Sequence, residues 1–306
     1  MSNSSLVSNQ FINAETTFPA VIRSWEGYLT DQKKSIYTIK AFRGDIQLLS
    51  SYFPPDKTIG SVSTKDIANF LDWMNNERNV PCSPKTYSRR VTSIKSFFKW
   101  LKTFGVIEED PSAGIDQPTV SSPLPEILTR EECERVLAVA EATRNGAKKD
   151  ARNLLLLQLL LSTGIKKSET LGISKNHIKR DDPDKPSLFI RYSGTTNQAK
   201  ERTIALPPSW LPILDEYLEQ YNPSDKLFPW SPRRLEYLLE DIGTAAGLTK
   251  HLSFAMCRWT CFVIDYSERV PMDVIRNKMG VSSVQWREIY NKLRVLEPTY
   301  LQKNED

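Results

Sequence analysis

The segment from Glu108 to Leu128 does most to limit what this chain can fold into. It loses the helical periodicity of the residues on either side and carries Pro111, Pro118, Pro123 and Pro125. Proline fixes φ and offers no amide donor, so no helix runs through such a stretch. The chain should therefore divide into two bodies, 15–107 and 129–306, joined at 108–128 by a strap that proline makes semi-rigid. At 306 residues each body can bury its own core.

The N-terminal body reads as four helices. Phe18 to Thr30 is amphipathic, and Ser35 to Tyr52 follows. A third helix starts at a Ser63 or Thr64 cap and runs through Asn76, with Asp66 supplying a favourable first-turn charge. The fourth is Ser83 to Gly105. Beyond the strap, Thr129 and Glu132 have the spacing of a capping box. Asp150 to Thr163 reads as a buried helix and Lys167 to Leu171 as the start of another. Pro186 to Ser193 and Glu201 to Leu206 alternate as strands across the polar turn Gly194 to Lys200. Helices are predicted over Leu211–Tyr221, Arg233–Ala246, Phe254–Glu268, Met272–Lys278 and Val284–Leu293, with Pro298 limiting the last. The fold class is mainly α, in two domains, with one small β-sheet in the second.

No stretch is long and apolar enough to span a bilayer; Gln158 breaks the longest apolar run, Leu154 to Leu161. The N-terminus, MSNSSLVSNQF, lacks a basic region followed by an apolar core, so it reads as a loose polar segment rather than a signal peptide. Four cysteines make no disulfide framework in a chain of this size, and a reducing cytoplasm is the default. Cys257 and Cys261 lie four apart with His251 nearby, but thiols at that spacing on an apolar helix face are usually core residues. No metal or cofactor is expected.

The net charge of +4 argues little by itself; its distribution argues more. Ser83 to Gly105 carries Lys85, Arg89, Arg90, Lys95, Lys99 and Lys102 and no acid. At about 100° per residue, Tyr87, Val91, Ile94, Phe98 and Leu101 form an apolar stripe, while Lys85, Arg89, Lys95 and Lys99 occupy another arc. One arc suits a core and the other suits phosphates, although in isolation the second reads as a solvated basic face.

In MCRWTCFVIDYSERVPMDVIRNKMGVSSVQWREIY, Arg258 opens a helix, an MG turn follows, and Tyr290 sits near the end of the next helix, 290 − 258 = 32 residues on. A tyrosine hydroxyl beside an arginine can attack a phosphodiester while the arginine stabilises the developing charge. The pattern resembles the C-terminal signature of the tyrosine recombinases, the phage-integrase and Xer-like family. SFFKWL with the following DPSAGI, LPEILTREECERVL, and Thr163-Gly164 with Ser168-Glu169 match it in order, over roughly residues 15 to 295.

The resemblance implies an N-terminal SAM-like core-binding domain, a C-terminal catalytic-type domain, a grip on double-stranded DNA with the basic helix at or near the major groove, and chemistry that needs neither metal nor energy cofactor. It makes Tyr290 the nucleophile and Arg258 a phosphate clamp. Four other pocket positions depart from the family pattern. Lys166 stands where the first arginine is expected, Asn197 where the strand lysine is expected, and Ala255 and Val281 where ring donors are expected. Lys166 supplies charge without a bidentate fork, and Lys200, at the family's second lysine position, is the remaining source of an acid.

Each retained residue also has a structural reading. Arg258 can pair with Asp265 or Glu268, and Tyr290 can be a packing aromatic. The implied function is DNA binding linked to site-specific recombination or integration with strand cleavage impaired or lost. The alternatives are an active recombinase with a divergent pocket, and a helical interaction protein without DNA binding. A cytoplasmic, nucleoid-associated protein is expected, acting with DNA and with itself or another recombinase. The family exchanges a C-terminal segment between protomers; after Tyr290 only Val295, Leu296, Tyr300 and Leu301 are suited to such docking.

Overall fold

The computed structural model describes residues 12–80, 82–117, 123–192 and 195–302, with backbone only at 195–197. The N-terminal segment that the sequence predicts to be loose, the centre of the expected strap and the side chain of Asn197 lie outside the described residues. The chain divides into two compact units, Met1–Ser122 and Pro123–Asp306.

The first unit holds α1 (Phe18–Asp31), α2 (Ile36–Tyr52), α3 (Thr64–Asn76) and α4 (Pro84–Thr103). The caps are the ones the sequence announces. Ser35 and Ser83 accept from the amides of Thr38 and Thr86, and Ser63 and Asp66 close a capping box. Helix α4 is the centre of this unit. Its buried surface is wider than a single stripe, because Phe97 and Trp100 join Val91, Ile94, Phe98 and Leu101 in the core. Phe97 meets Trp25 of α1 edge-on at 5.1 Å.

A buried carboxylate joins α2 to α4. Asp45, 4% exposed, accepts a short hydrogen bond from Arg89 and one of 2.7 Å from Ser93 Oγ. Arg90 Nε stands 3.6 Å away. Burial raises the Asp45 pKa, while Ser93, Arg89 and Arg90 pull it down.

The second unit holds α5 (Arg130–Asn145), α6 (Arg152–Thr163), α7 (Lys167–Gly172), β1 (Ile178–Lys179), β2 (Ser187–Ile190), β3 (Arg202–Ala205), α8 (Trp210–Tyr221), α9 (Pro232–Ala245), α10 (Phe254–Ser267), α11 (Met272–Met279) and α12 (Ser283–Leu301). Thr129 and Glu132 form the expected capping box on α5. Helix α6 runs through the core, with Leu154 to Leu157, Leu159 and Leu160 all buried. The sheet is antiparallel in the order β1-β2-β3, and buried Leu188 pairs with buried Ile204 across it. Strand β1, two residues long, is too short for alternation to reveal.

Two local expectations are corrected. The turn before β3 is a 3-10 helix, Thr195–Lys200. Pro298 does not limit α12, which continues to Leu301. The missing amide costs one bond, but Leu296 and Tyr300, on either side of the proline, are buried. The Arg130 guanidinium also covers the Tyr300 ring at 5.7 Å. That burial holds the last turn helical. It also commits Leu296 and Tyr300 to this domain's own core and leaves Val295 and Leu301 exposed.

Among the described residues no helix is long and apolar enough to cross a membrane. Cys257 and Cys261 are buried free thiols, and burial raises the pKa of both.

Asp45→Ala should strand two guanidiniums over the first core and destabilise this unit by about 3 kcal/mol or more. Urea unfolding followed by tryptophan fluorescence would read it; a change of only a few tenths would contradict the structural role given to Asp45.

Candidate functional site

The site is built on two helix ends. Helix α6 stops at Gly164, which adopts φ +60°. A Cβ at that position would come within 2.6 Å of the Phe262 ring, so only glycine lets α10 pack this closely. Helix α11 stops at Gly280, with φ +63°, where a Cβ would lie 2.8 Å from Arg202 Nη1.

Arg258, one turn into α10, joins these ends. Its Nη1 makes a short bond to the Gly164 carbonyl, and its Nη2 donates to the Met279 carbonyl at 2.8 Å. A cation at helix C-termini meets unsatisfied carbonyls and the negative end of the macrodipole. The guanidinium also lies 5.0 Å from the centroid of the Phe262 ring. Burial lowers the Arg258 pKa to about 10, so it stays charged at neutral pH. The acidic partners considered from sequence do not hold it; Asp265 instead receives Lys278 at 2.8 Å.

Glu169 supports this arrangement from behind. It accepts both Nη atoms of Arg202, at 3.0 and 3.1 Å. It also accepts the Lys166 amide at 2.8 Å and a short bond from the Tyr192 hydroxyl. Burial opposes ionisation, but the Arg202 hydrogen bonds and charge overcome it and hold the Glu169 pKa at about 2. Arg202 then reaches the other helix end, with Nε donating to the Lys278 carbonyl at 2.7 Å. Neither Glu169 nor Arg202 stands out in the sequence as a site residue, although both lie beside residues of the matched motifs.

An open cavity of about 340 Å³ lies in front of Arg258, lined also by Lys166, Lys167, His251, Ala255 and Glu236. The first turn of α10 borders it. Ser253 caps that helix by accepting the Met256 amide at 3.2 Å, and the helix N-terminus favours an anion. Burial lowers the Lys166 pKa; Glu169 acts against this, and the charges of Arg258, Arg202 and Lys200 add to it. Lys167 is paired with Glu236 at 2.5 Å.

The structure thus brings Lys166, Arg258 and Ala255 to one cavity, with Lys200 close enough to act on Lys166 electrostatically. It also brings in His251, which in the sequence stands out only as a neighbour of Cys257 and Cys261. Tyr290 is not among the described residues that line this cavity. Its ring packs against Tyr266 at 6.1 Å and Trp286 at 6.4 Å. Tyr266 is eight residues beyond Arg258, about 12 Å along the α10 axis. Val281 packs against the core of this unit. On α4, Arg89 and Arg90 face Asp45, Lys95 is half-buried, and Lys85, Lys99 and Lys102 are exposed.

Residues 126–296 match the model of the phage integrase family, and residues 22–105 match that of the phage integrase N-terminal SAM-like domain. The chain belongs to the phage integrase family. It is 27% identical over 195 residues to the tyrosine recombinase XerD of Listeria innocua, a match covering 64% of this chain and 62% of that protein. It is 25% identical over 281 residues to the tyrosine recombinase XerC of Oceanobacillus iheyensis, covering 86% and 88%. The fold matches the XerH site-specific recombinase in its post-cleavage complex with palindromic difH substrate (TM-score 0.70, 19% identity, 92% of this chain and 84% of that one). It also matches a lambda integrase dimer bound to a COC′ core site (TM-score 0.70, 13% identity, 100% and 84%).

Glu169→Gln should destabilise the second unit, because it leaves the buried Arg202 without its counter-charge. The folded pKa of about 2 lies below the ordinary value of 4.5. The contribution is therefore complete above the ordinary value, worth about 3 kcal/mol, and is lost as pH falls toward the folded value. Unfolding at neutral pH and near pH 3 should show a much smaller pH effect in the variant; an equal effect would overturn the assignment.

Proposed function

We propose that this protein binds duplex DNA and serves site-specific recombination or integration, with its own strand cleavage weakened or lost. The observation that carries the reading is the cationic cavity at the start of α10, where Lys166 and Arg258 converge. A backbone phosphate is the anion such a cavity suits, and helix α4 offers further exposed lysines for the duplex. The relatives named above are tyrosine recombinases, and the solved neighbours are recombinases on DNA. Partners of the same kind follow for this chain: double-stranded DNA, and a second copy or another recombinase on it.

Cleavage would require the Tyr290 hydroxyl oxygen to bond to phosphorus as the P–O5′ bond breaks. The tyrosine proton must be removed and the leaving 5′-oxygen must gain one. Arg258 has one donor on each helix-end carbonyl, and Lys166 gives a point charge where a planar fork would hold two oxygens. Ala255 is exposed at the cavity and Val281 is apolar, so neither donates a hydrogen bond. Losing one preorganised donor to a developing oxyanion typically costs about 10²–10³ in rate, and linked losses are not simply multiplied. The second reading, an active recombinase cleaving through a 3′-phosphotyrosyl intermediate, is favoured by one observation: Tyr290 and Arg258 are both retained.

Lys95→Ala with Lys99→Ala should weaken binding to a mixed-sequence duplex and reduce the salt slope by about 2. Unchanged affinity and slope would overturn the placement of α4 on DNA. A pocket carrying Lys166→Arg, Asn197→Lys, Ala255→His and Val281→His should form more covalent protein–DNA adduct than the natural chain. No gain from a folded, DNA-binding variant would count against donor loss as the cause of impairment.

A further inference from the structure

The described residues lining the cavity in front of Arg258 include three cations, Lys166, Lys167 and Arg258, and one acid, Glu236. The acid is the odd member, because it works against the anion that the cavity suits. Its carboxylate takes up Lys167, whose Nζ donates to Oε1 at 2.5 Å. Helix α9 presents it firmly: Leu235 and Leu239, before and after Glu236 in the chain, are buried in the core. We propose that this pair is an autoinhibitory contact: Glu236 keeps Lys167 away from a DNA phosphate held by Lys166 and Arg258, and so sets the protein's grip on DNA below what the cavity's three cations can give. The proposal rests on the phosphate-pocket reading above.

Neither local structure nor stability accounts for the pair. Lys167 lies in the first turn of α7, where the helix dipole disfavours a cation. The Lys167 and Glu236 side chains are 41% and 43% exposed, and ion pairs open to solvent add little to folding. In the cavity the same pair has a larger consequence. Carboxylate and phosphate compete for one ammonium, and the carboxylate, carried on the same chain, competes at high effective concentration. A free Lys167 would instead neutralise one further phosphate charge and release its counterion. Glu236 also sets a negative charge beside the phosphate, which repels it. Because the pair is exposed, removing it should leave the fold intact and change only the grip.

The test measures the affinity of the full chain for a fluorescein-labelled mixed-sequence duplex, by anisotropy, over a range of salt concentrations at neutral pH. Wild type is compared with Glu236→Gln, Lys167→Ala, the two together, Glu240→Gln and Lys166→Ala. Glu236→Gln should bind about two- to five-fold more tightly, the scale of an exposed charge interaction. Its salt slope should steepen by about 0.9, the amount due to one phosphate. Adding Lys167→Ala should abolish the steeper slope, since the gain needs the freed ammonium. Glu240 is exposed one turn further along α9 and is not among the described residues lining the cavity. Glu240→Gln therefore controls for the loss of one negative charge and should leave the slope unchanged.

Two failures are distinguishable. If Lys166→Ala binds DNA as the wild type does, the phosphate-pocket reading is wrong, and the autoinhibitory contact falls with it. If Lys166→Ala weakens binding but Glu236→Gln is no tighter than wild type, the contact alone is wrong. The same holds if Glu240→Gln matches Glu236→Gln, or if the steeper slope survives Lys167→Ala. Circular dichroism follows the fold of each variant; a Glu236→Gln chain that fails to fold would make the pair a structural one and overturn the proposal as well.

Discussion

The second unit depends on one arginine and the two glycines that make room for it. Arg258 gathers the carbonyls of Gly164 and Met279, the last groups of α6 and α11, where each helix leaves acceptors unsatisfied. Gly164 must be glycine because its φ is positive and because Phe262 occupies the space a Cβ would need. Gly280 has the same requirement against Arg202. The buried Glu169–Arg202 pair continues the bridge, tying the start of α7 to β3 and, through the Lys278 carbonyl, back to the end of α11. Helix termination therefore fixes the Arg258 side of the cavity, while the loop residues His251 to Ser253 line another part of it.

The same interactions set the chemical character of the site. Arg258 is both a scaffold and a cation at the cavity. Its charge survives burial because carbonyl dipoles and the Phe262 ring replace water around it. A phosphate entering the cavity would meet that charge with one donor on each helix end already engaged. Lys166 adds a second positive charge at the cavity, as a point donor rather than a planar fork. Tyr290 packs on Tyr266 and Trp286 and is not among the described residues that line the cavity.

Much of this was legible in the sequence because it is encoded locally. Ser35, Ser63, Ser83 and Thr129 announce helix starts through residues three positions on, and the apolar stripe of α4 predicts its buried face. What was not legible depends on partners distant in sequence. Nothing near Arg89 and Arg90 reveals that Asp45, more than forty residues earlier, takes them up. Nothing near Arg258 reveals that its partners are backbone carbonyls, since every residue has one. Pro298 reads locally as a stop, and only the burial of Leu296 and Tyr300 shows why it is not. His251 was visible as a residue, but its entry into the cavity depends on how the loop meets α10.

On the function proposed above, the chain keeps the family's fold and an anion cavity while its strand cleavage is weakened or lost. The most direct measurement begins with selecting a preferred site from random duplexes. The natural protein and Tyr290→Phe are then incubated with that site and separated by denaturing electrophoresis. Both should bind the site, and the natural protein should yield little or no covalent protein–DNA adduct. A strong adduct from the natural protein, absent from Tyr290→Phe, would contradict the proposed function and establish a working recombinase.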